Sequence, residues 1–233
     1  DFEDYTLDQF PLRDTFRQFK SLYHYYVMQQ KDNNDIYIQD GYAAKLEYPL
    51  NETSVSNVIK KMNHIYEKYL TGSETVVFAA VPDKGYYLAE GEGYPAMDYD
   101  ALFEKMQKGM PYASYVNLTD CLNVSDYYKT DTHWRQEKLI PAAQRLCDAM
   151  GVTGPSQQDL RPVAAQRPFY GVYYGQAALP LEPDTLYTME SDLLSQCRVY
   201  NYETGSYGSV YDLSKLEGKD MYEVFLSGSV SML

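Results

Sequence analysis

The chain has 233 residues and a mass of 26.9 kDa, with 20 Lys and Arg against 33 Asp and Glu, a formal net charge of −13. Affinity for a phosphate backbone comes chiefly from clustered Lys and Arg, and no basic run is longer than Lys60-Lys61, so neither a nucleic acid nor an anionic membrane surface is expected as a partner. Apolar residues at 45% and charged residues at 23% are the proportions of an ordinary globular protein, with material for one large domain or two small ones.

The longest apolar run, Val76 to Val81, is far short of the roughly 20 residues a membrane-spanning helix requires, so no membrane span is expected. No basic segment followed by an apolar one opens the chain. It begins with Asp1 rather than Met, and a signal or anchor trimmed from an earlier form is compatible with that. Cys121, Cys147 and Cys197 are widely spaced with no Cys-x-x-Cys, which supports neither a disulfide framework nor a zinc site; no metal and no cofactor is expected. Tyrosine is the compositional outlier, 26 residues against 8 Phe and one Trp. Its apolar ring and polar tip suit half-buried positions and wet clefts, including one that holds a sugar.

In chain order, the spacing of Leu7, Phe10, Phe16, Phe19, Tyr23 and Tyr26 predicts a helix over residues 4–30, with Pro11 in a first turn. His24 sits among tyrosines and reads as a packing neighbour. After the turn at Asp32 to Asp35, Ile36-Tyr37-Ile38 is a short strand ended by Asp40-Gly41. Val55, Val58, Ile59, Met62, Ile65, Tyr66 and Tyr69 predict an amphipathic helix over 54–70, flanked by His64 and stopped by Thr71-Gly72. Thr75 to Val81 has the continuous β-branched texture of a strand buried on both faces, as in a parallel sheet. Loops at the carboxyl ends of such strands carry ligand sites, which makes Lys84, in the Pro82-Asp83-Lys84-Gly85 turn, a substrate-site candidate. A helix over 98–110, a strand at Tyr115 to Leu118, and a helix ending at Met150-Gly151 follow, with Pro141 expected to kink or restart the last. Beyond Gly151, prolines punctuate a segment with short aromatic runs at Gly171 to Tyr174, Arg198 to Tyr202 and Ser209 to Tyr211, which predict hairpins.

The chemistry centres on Tyr127-Tyr128-Lys129-Thr130-Asp131-Thr132-His133-Trp134. Two residues apart in an extended loop, side chains point the same way. Asp131 can then accept a hydrogen bond from one imidazole nitrogen of His133 and leave the other free to take a proton, the orienting half of a Ser-His-Asp arrangement. Two alternatives stay open: Asp131 or Thr132 caps a following helix, or His133 ligates a metal with partners brought from elsewhere.

The same eight residues resemble the signature of the bacterial DHHW family, which is similar to SGNH-hydrolase-like proteins that acetylate alginate outside the cytoplasm. The segments Asp8 to Asp14, Val81 to Lys84, Phe169 to Gly175 and Asp220 to Leu226 resemble family segments too. Thr132 stands where the family name has its first His. The resemblance implies an α/β fold, an SGNH-hydrolase-like sheet flanked by helices with a β-rich elaboration in the C-terminal third. It also implies Asp131 and His133 as catalytic acid and base, with Lys84, Tyr128 and Trp134 shaping a substrate cleft. The family's nucleophilic Ser follows in a later Asp-Ser-aromatic segment. None occurs before Leu233, so that Ser is expected beyond this chain, with Ser229, beside Ser227 and Ser231, the local stand-in.

Three segments are expected within one incomplete domain: a helical one over 1–32, an α/β core over 33–151, and a β-rich return over 152–233. The implied function is extracytoplasmic transfer or hydrolysis of an O-acyl group, acetyl first, on a cell-surface polysaccharide; the chain alone, lacking the Ser, is expected to be inactive. A non-catalytic glycan-binding surface module is the alternative. A sheet lacking the strand that bears the Ser would present an unpaired edge, open to self-association.

Overall fold

The computed structural model describes residues 10–72 and 75–225. Helix α1 (Arg13–Leu22) follows the turn at Pro11 and loosens into one wide turn over Tyr23–Val27. It is shorter than the spacing predicts, and Leu7 lies outside the described residues. Its aromatic face is not a buried one: Phe10, Phe16, Phe19 and Tyr26 are exposed and Ser21 is the buried residue. Tyr25 packs against the core cluster around Ile36 and Leu179, and polar bonds complete the attachment. Arg17 donates to the Gly175 carbonyl at 3.0 Å, Asn33 to the Ser21 hydroxyl and the Ala177 carbonyl at 2.7 Å each, and Asn34 to the Gln176 carbonyl at 2.8 Å.

Strands β1 (Ile36–Gln39) and β2 (Tyr42–Lys45) form an antiparallel hairpin in which Gln39 faces Tyr42. Asp40 and Gly41 between them both have positive φ, 50° and 79°; such a two-residue turn suits the twist of a hairpin. The second strand was not predicted, because Ala43 and Ala44 lack the β-branched signal. Burial explains them: Ala43 packs with Ile36, Tyr173, Ala177 and Leu179 in one core cluster.

Helix α2 (Glu52–Ile65) starts where Asn51 accepts the Ser54 N–H at 2.9 Å, and ends in a wide turn over Tyr66–Leu70. Val55 on its apolar stripe is buried, whereas Val58, Met62 and Ile65 are exposed. Strand β3 (Val77–Phe78) pairs in parallel with β4 (Ser114–Tyr115), as the run at Thr75 to Val81 predicts. The double burial is not found, since β3 is half-buried and Val81 is 49% exposed. Among the described residues β4 is its only strand neighbour, so one edge of β3 has no strand partner.

Helix α3 (Lys84–Glu92) begins just after β3, and α4 (Tyr99–Gly109) is capped by Asp98. Helix α5 (Ile140–Met150) has Pro141 in its first turn and ends at Gly151 in the left-handed region, φ 70°, so Pro141 restarts the helix rather than bending it. Ala142 of α5 packs with Val116, Leu118 and Leu122 beneath Trp134.

After Gly151 the chain alternates short hairpins and short helices instead of forming a β-rich unit. Strand β5 (Arg161–Ala164) pairs with β6 (Tyr187–Glu190), and β7 (Val199–Asn201) with β8 (Ser206–Gly208). Between them lie α6 (Val172–Ala177) and α7 (Asp192–Gln196). The run at Gly171 to Tyr174, predicted as a hairpin strand, is the start of α6. A core cluster of Tyr128, Phe169, Leu186, Met221 and Val224 ties this last third to the middle of the chain.

Candidate active site

The Asp-x-His motif lies on a loop closed at its neck. An antiparallel bridge joins Tyr127 to Trp134, the Tyr128 N–H donates to the His133 carbonyl at 3.1 Å, and the Arg135 N–H to the Asp126 carbonyl at 2.7 Å. No α-helix starts at Asp131 or Thr132; a short 3-10 turn over Gln136–Lys138 precedes α5, so helix capping is not the role of these residues.

Two buried charges hold the loop from opposite polarities. The Asp184 carboxylate accepts the Lys129 and Thr130 N–H groups at 2.8 Å each and the Thr130 hydroxyl at 2.7 Å. The Lys84 ammonium donates to the Tyr128 carbonyl at 2.8 Å and the Lys129 carbonyl at 3.3 Å, and lies 5.1 Å from the centre of the Tyr173 ring. Burial pulls the Lys84 pKa down to about 7, against the opposing pull of Asp184, Asp131 and Asp83. At 2% exposure for Lys84 and 0% for Tyr128, neither lines an open cleft as expected; they hold the motif loop from within. Trp134 is half-buried against the Val116–Leu118 cluster.

Asp131, buried, is held on both oxygens. Oδ1 accepts the His133 backbone N–H at 3.0 Å and lies 2.6 Å from His133 Nδ1, while Oδ2 accepts the Val172 N–H at 2.9 Å. Burial alone would push its pKa up, but the hydrogen bonds from the His133 ring, the His133 backbone and Val172 prevail and hold it below the usual value. An ionised carboxylate can only accept, so the neutral imidazole carries its proton on Nδ1 and presents Nε2 as the basic atom. The ring is 47% exposed and stacks on Tyr222 with centroids 4.1 Å apart and planes 16° from parallel. Among the described residues no hydroxyl hydrogen-bonds to it. Nor does any group of three or more His, Cys, Asp and Glu there lie close enough together to hold a metal.

Three participants escaped the sequence: Tyr222, Asp184 and Gly171. Gly171 is the least obvious, since a Cβ there would lie 2.2 Å from Asp131 Cβ, and only glycine lets α6 approach closely enough for Val172 to reach the carboxylate. Phe169 to Gly175 and Asp220 to Leu226 stand out in the sequence as family-like segments, but nothing local to them names a role. Ser229, like Ser227 and Ser231, lies outside the described residues.

No family model and no curated protein matches the chain. Solved structures do. A DHHW family protein from Eubacterium siraeum superposes with a TM-score of 0.63 at 20% identity, over 85% of this chain and 70% of that one. Bacillus cereus PatB1, solved with a sulfonyl adduct, gives a TM-score of 0.62 at 14% identity, over 82% and 70%. At these identities the likeness establishes a shared fold.

Proposed function

We propose that the chain belongs with the SGNH-like proteins of the DHHW group. In this reading it transfers or hydrolyses an O-acyl group, acetyl first, on an extracytoplasmic polysaccharide. The observation that carries it is the Asp131–His133 contact: a buried, ionised carboxylate 2.6 Å from Nδ1 of a half-exposed imidazole. That arrangement fixes the tautomer, and it stabilises the imidazolium formed when Nε2 takes a proton from an attacking hydroxyl. The shared fold with Bacillus cereus PatB1, solved with a sulfonyl adduct, is in keeping with this reading.

His133 is then the general base and Asp131 its orienter. Lys84 and Asp184 are positioning residues for the loop, and Tyr222 is the wall that keeps the imidazole plane in register. In this reading a serine hydroxyl is the nucleophile, and among the described residues none bonds to the imidazole. Hydrolysis of 4-nitrophenyl acetate by the full-length protein tests this. Turnover should fall about 10²–10⁴-fold in His133→Ala, the usual contribution of a positioned base, and should also fall in Asp131→Asn, where the tautomer is no longer held. Full-length protein that is inert towards acetyl esters, or equally active without His133, overturns the proposal.

A further inference from the structure

A groove of about 1280 Å³ is bordered by α5, the β5–β6 hairpin, α7 and the chain just after β8. Neither Asp131 nor His133 lines it. A ladder of rings nevertheless connects the two. The His133 ring stacks on Tyr222 at 4.1 Å, Tyr222 meets Phe225 at 5.0 Å, and Phe225 meets Tyr211 at 5.9 Å between centroids. Tyr211 forms part of the groove wall. Gln136, three residues after His133, also lines the groove.

The lining is mixed. Leu160, Leu194 and Tyr211 present apolar faces, while Gln136, Ser156 and Gln158 supply hydroxyl and amide groups. A pyranose ring has the matching pattern, with C–H faces that lie on apolar and aromatic surfaces and a rim of hydroxyls for polar side chains. The charges on the groove are Asp159, Glu190 and Asp192 against Arg161, and Arg161 already pairs with Glu190. The local field is therefore negative, on a chain whose net charge is −13.

We infer that this groove binds an extended, uncharged glycan chain and selects against polyuronates. This rests on the acyl-transfer proposal only for the idea that the acceptor is a polysaccharide. A uronate polymer brings one carboxylate per sugar, and these would lie within the roughly 10 Å over which charges interact at 0.1 M salt. A neutral hexose chain meets no such repulsion and keeps every contact of its rings and hydroxyls.

The test is binding, read without turnover. Cellotetraose and tetra-N-acetylchitotetraose, both neutral, are titrated into the isotope-labelled chain alongside tetragalacturonate. Amide shifts around Gln136, Leu194 and Tyr211 with at least one neutral tetramer, and at least tenfold weaker tetragalacturonate binding in low salt, are expected. Leu194→Trp should fill the groove and weaken neutral binding at least tenfold while its circular dichroism stays unchanged. Asp192→Lys, on the surface, should narrow the gap between neutral and anionic probes without touching the apolar wall. Absence of binding by both neutral tetramers, shifts that map elsewhere, or equal affinity for tetragalacturonate overturns the inference. Groove binding in a protein whose esterase activity ignores His133 would leave this site standing and remove only the acyl-transfer proposal.

Discussion

At the scale of single residues, the site depends on what lies against Asp131. Gly171 leaves no room for a methyl group, so Gly171→Ala must push α6 away from the carboxylate or displace the carboxylate itself. A loss of about 1–3 kcal/mol, typical of overpacking, should appear in urea denaturation, together with loss of the Nδ1–H tautomer in ¹⁵N spectra of His133. Lys84 sets a pH signature. Its pKa is about 7 when folded, from burial, against about 10.4 in an unfolded chain, so between these values the unfolded state binds more protons. The Lys84 contribution to stability therefore rises with pH from about 7 to about 10.4 and is least favourable below pH 7. Asp131 has the opposite end of the scale: its lowered pKa gives stability present above the unfolded value and lost as pH falls through the folded one. Unfolding free energies of Lys84→Met measured against pH should lose the alkaline slope of the parent and keep the acid limb. An unchanged slope would show that Lys84 is not the group responsible. The Asp131–His133 pair was legible in the sequence because its geometry is local, two residues along one loop. Asp184, Gly171 and Tyr222 were not, since folding brings them to the loop from 40 to 91 residues beyond Asp131, and no local pattern marks them.

At the scale of elements, the sequence foretold best where apolar periodicity is regular. Helix α2 is the clearest case, with Asn51 supplying the side-chain oxygen that satisfies an otherwise unpaired N–H at its start. Asn51→Ala should cost about 1 kcal/mol, seen as a lower thermal midpoint with the helix retained. The predictions that failed share a cause. Gly171 to Tyr174 has the aromatic and β-branched content of a strand, but its tertiary role is to deliver the Val172 N–H to Asp131, and the chain turns helical there. Likewise the aromatic stripe of α1 has helical spacing, yet it stays exposed, and Tyr25 together with the polar side chains Arg17, Asn33 and Asn34 fastens this region to the residues around α6. Spacing reports which side chains share a face; it does not report whether anything covers that face.

At the scale of the whole molecule, two features remain uncovered among the described residues. The parallel pair β3–β4 has no third strand beside it, and Phe16, Phe19 and Tyr26 stand exposed on the N-terminal segment. Edges of this kind recruit strands, and apolar patches recruit partners. Sedimentation of the 233-residue chain should show concentration-dependent self-association, reduced by placing Lys at Val77 on the strand or at Phe19 on the helix. Sedimentation as a monomer at all concentrations would overturn this expectation.

The attachment of the N-terminal segment carries a mechanical corollary. Arg17, Asn33 and Asn34 grip the carbonyls of Gly175, Gln176 and Ala177, at the far end of the same short helix whose first N–H steadies the carboxylate behind His133. Opposite ends of α6 are therefore clamped, one to the N-terminal segment and the other to Asp131, which makes this six-residue helix the link between them.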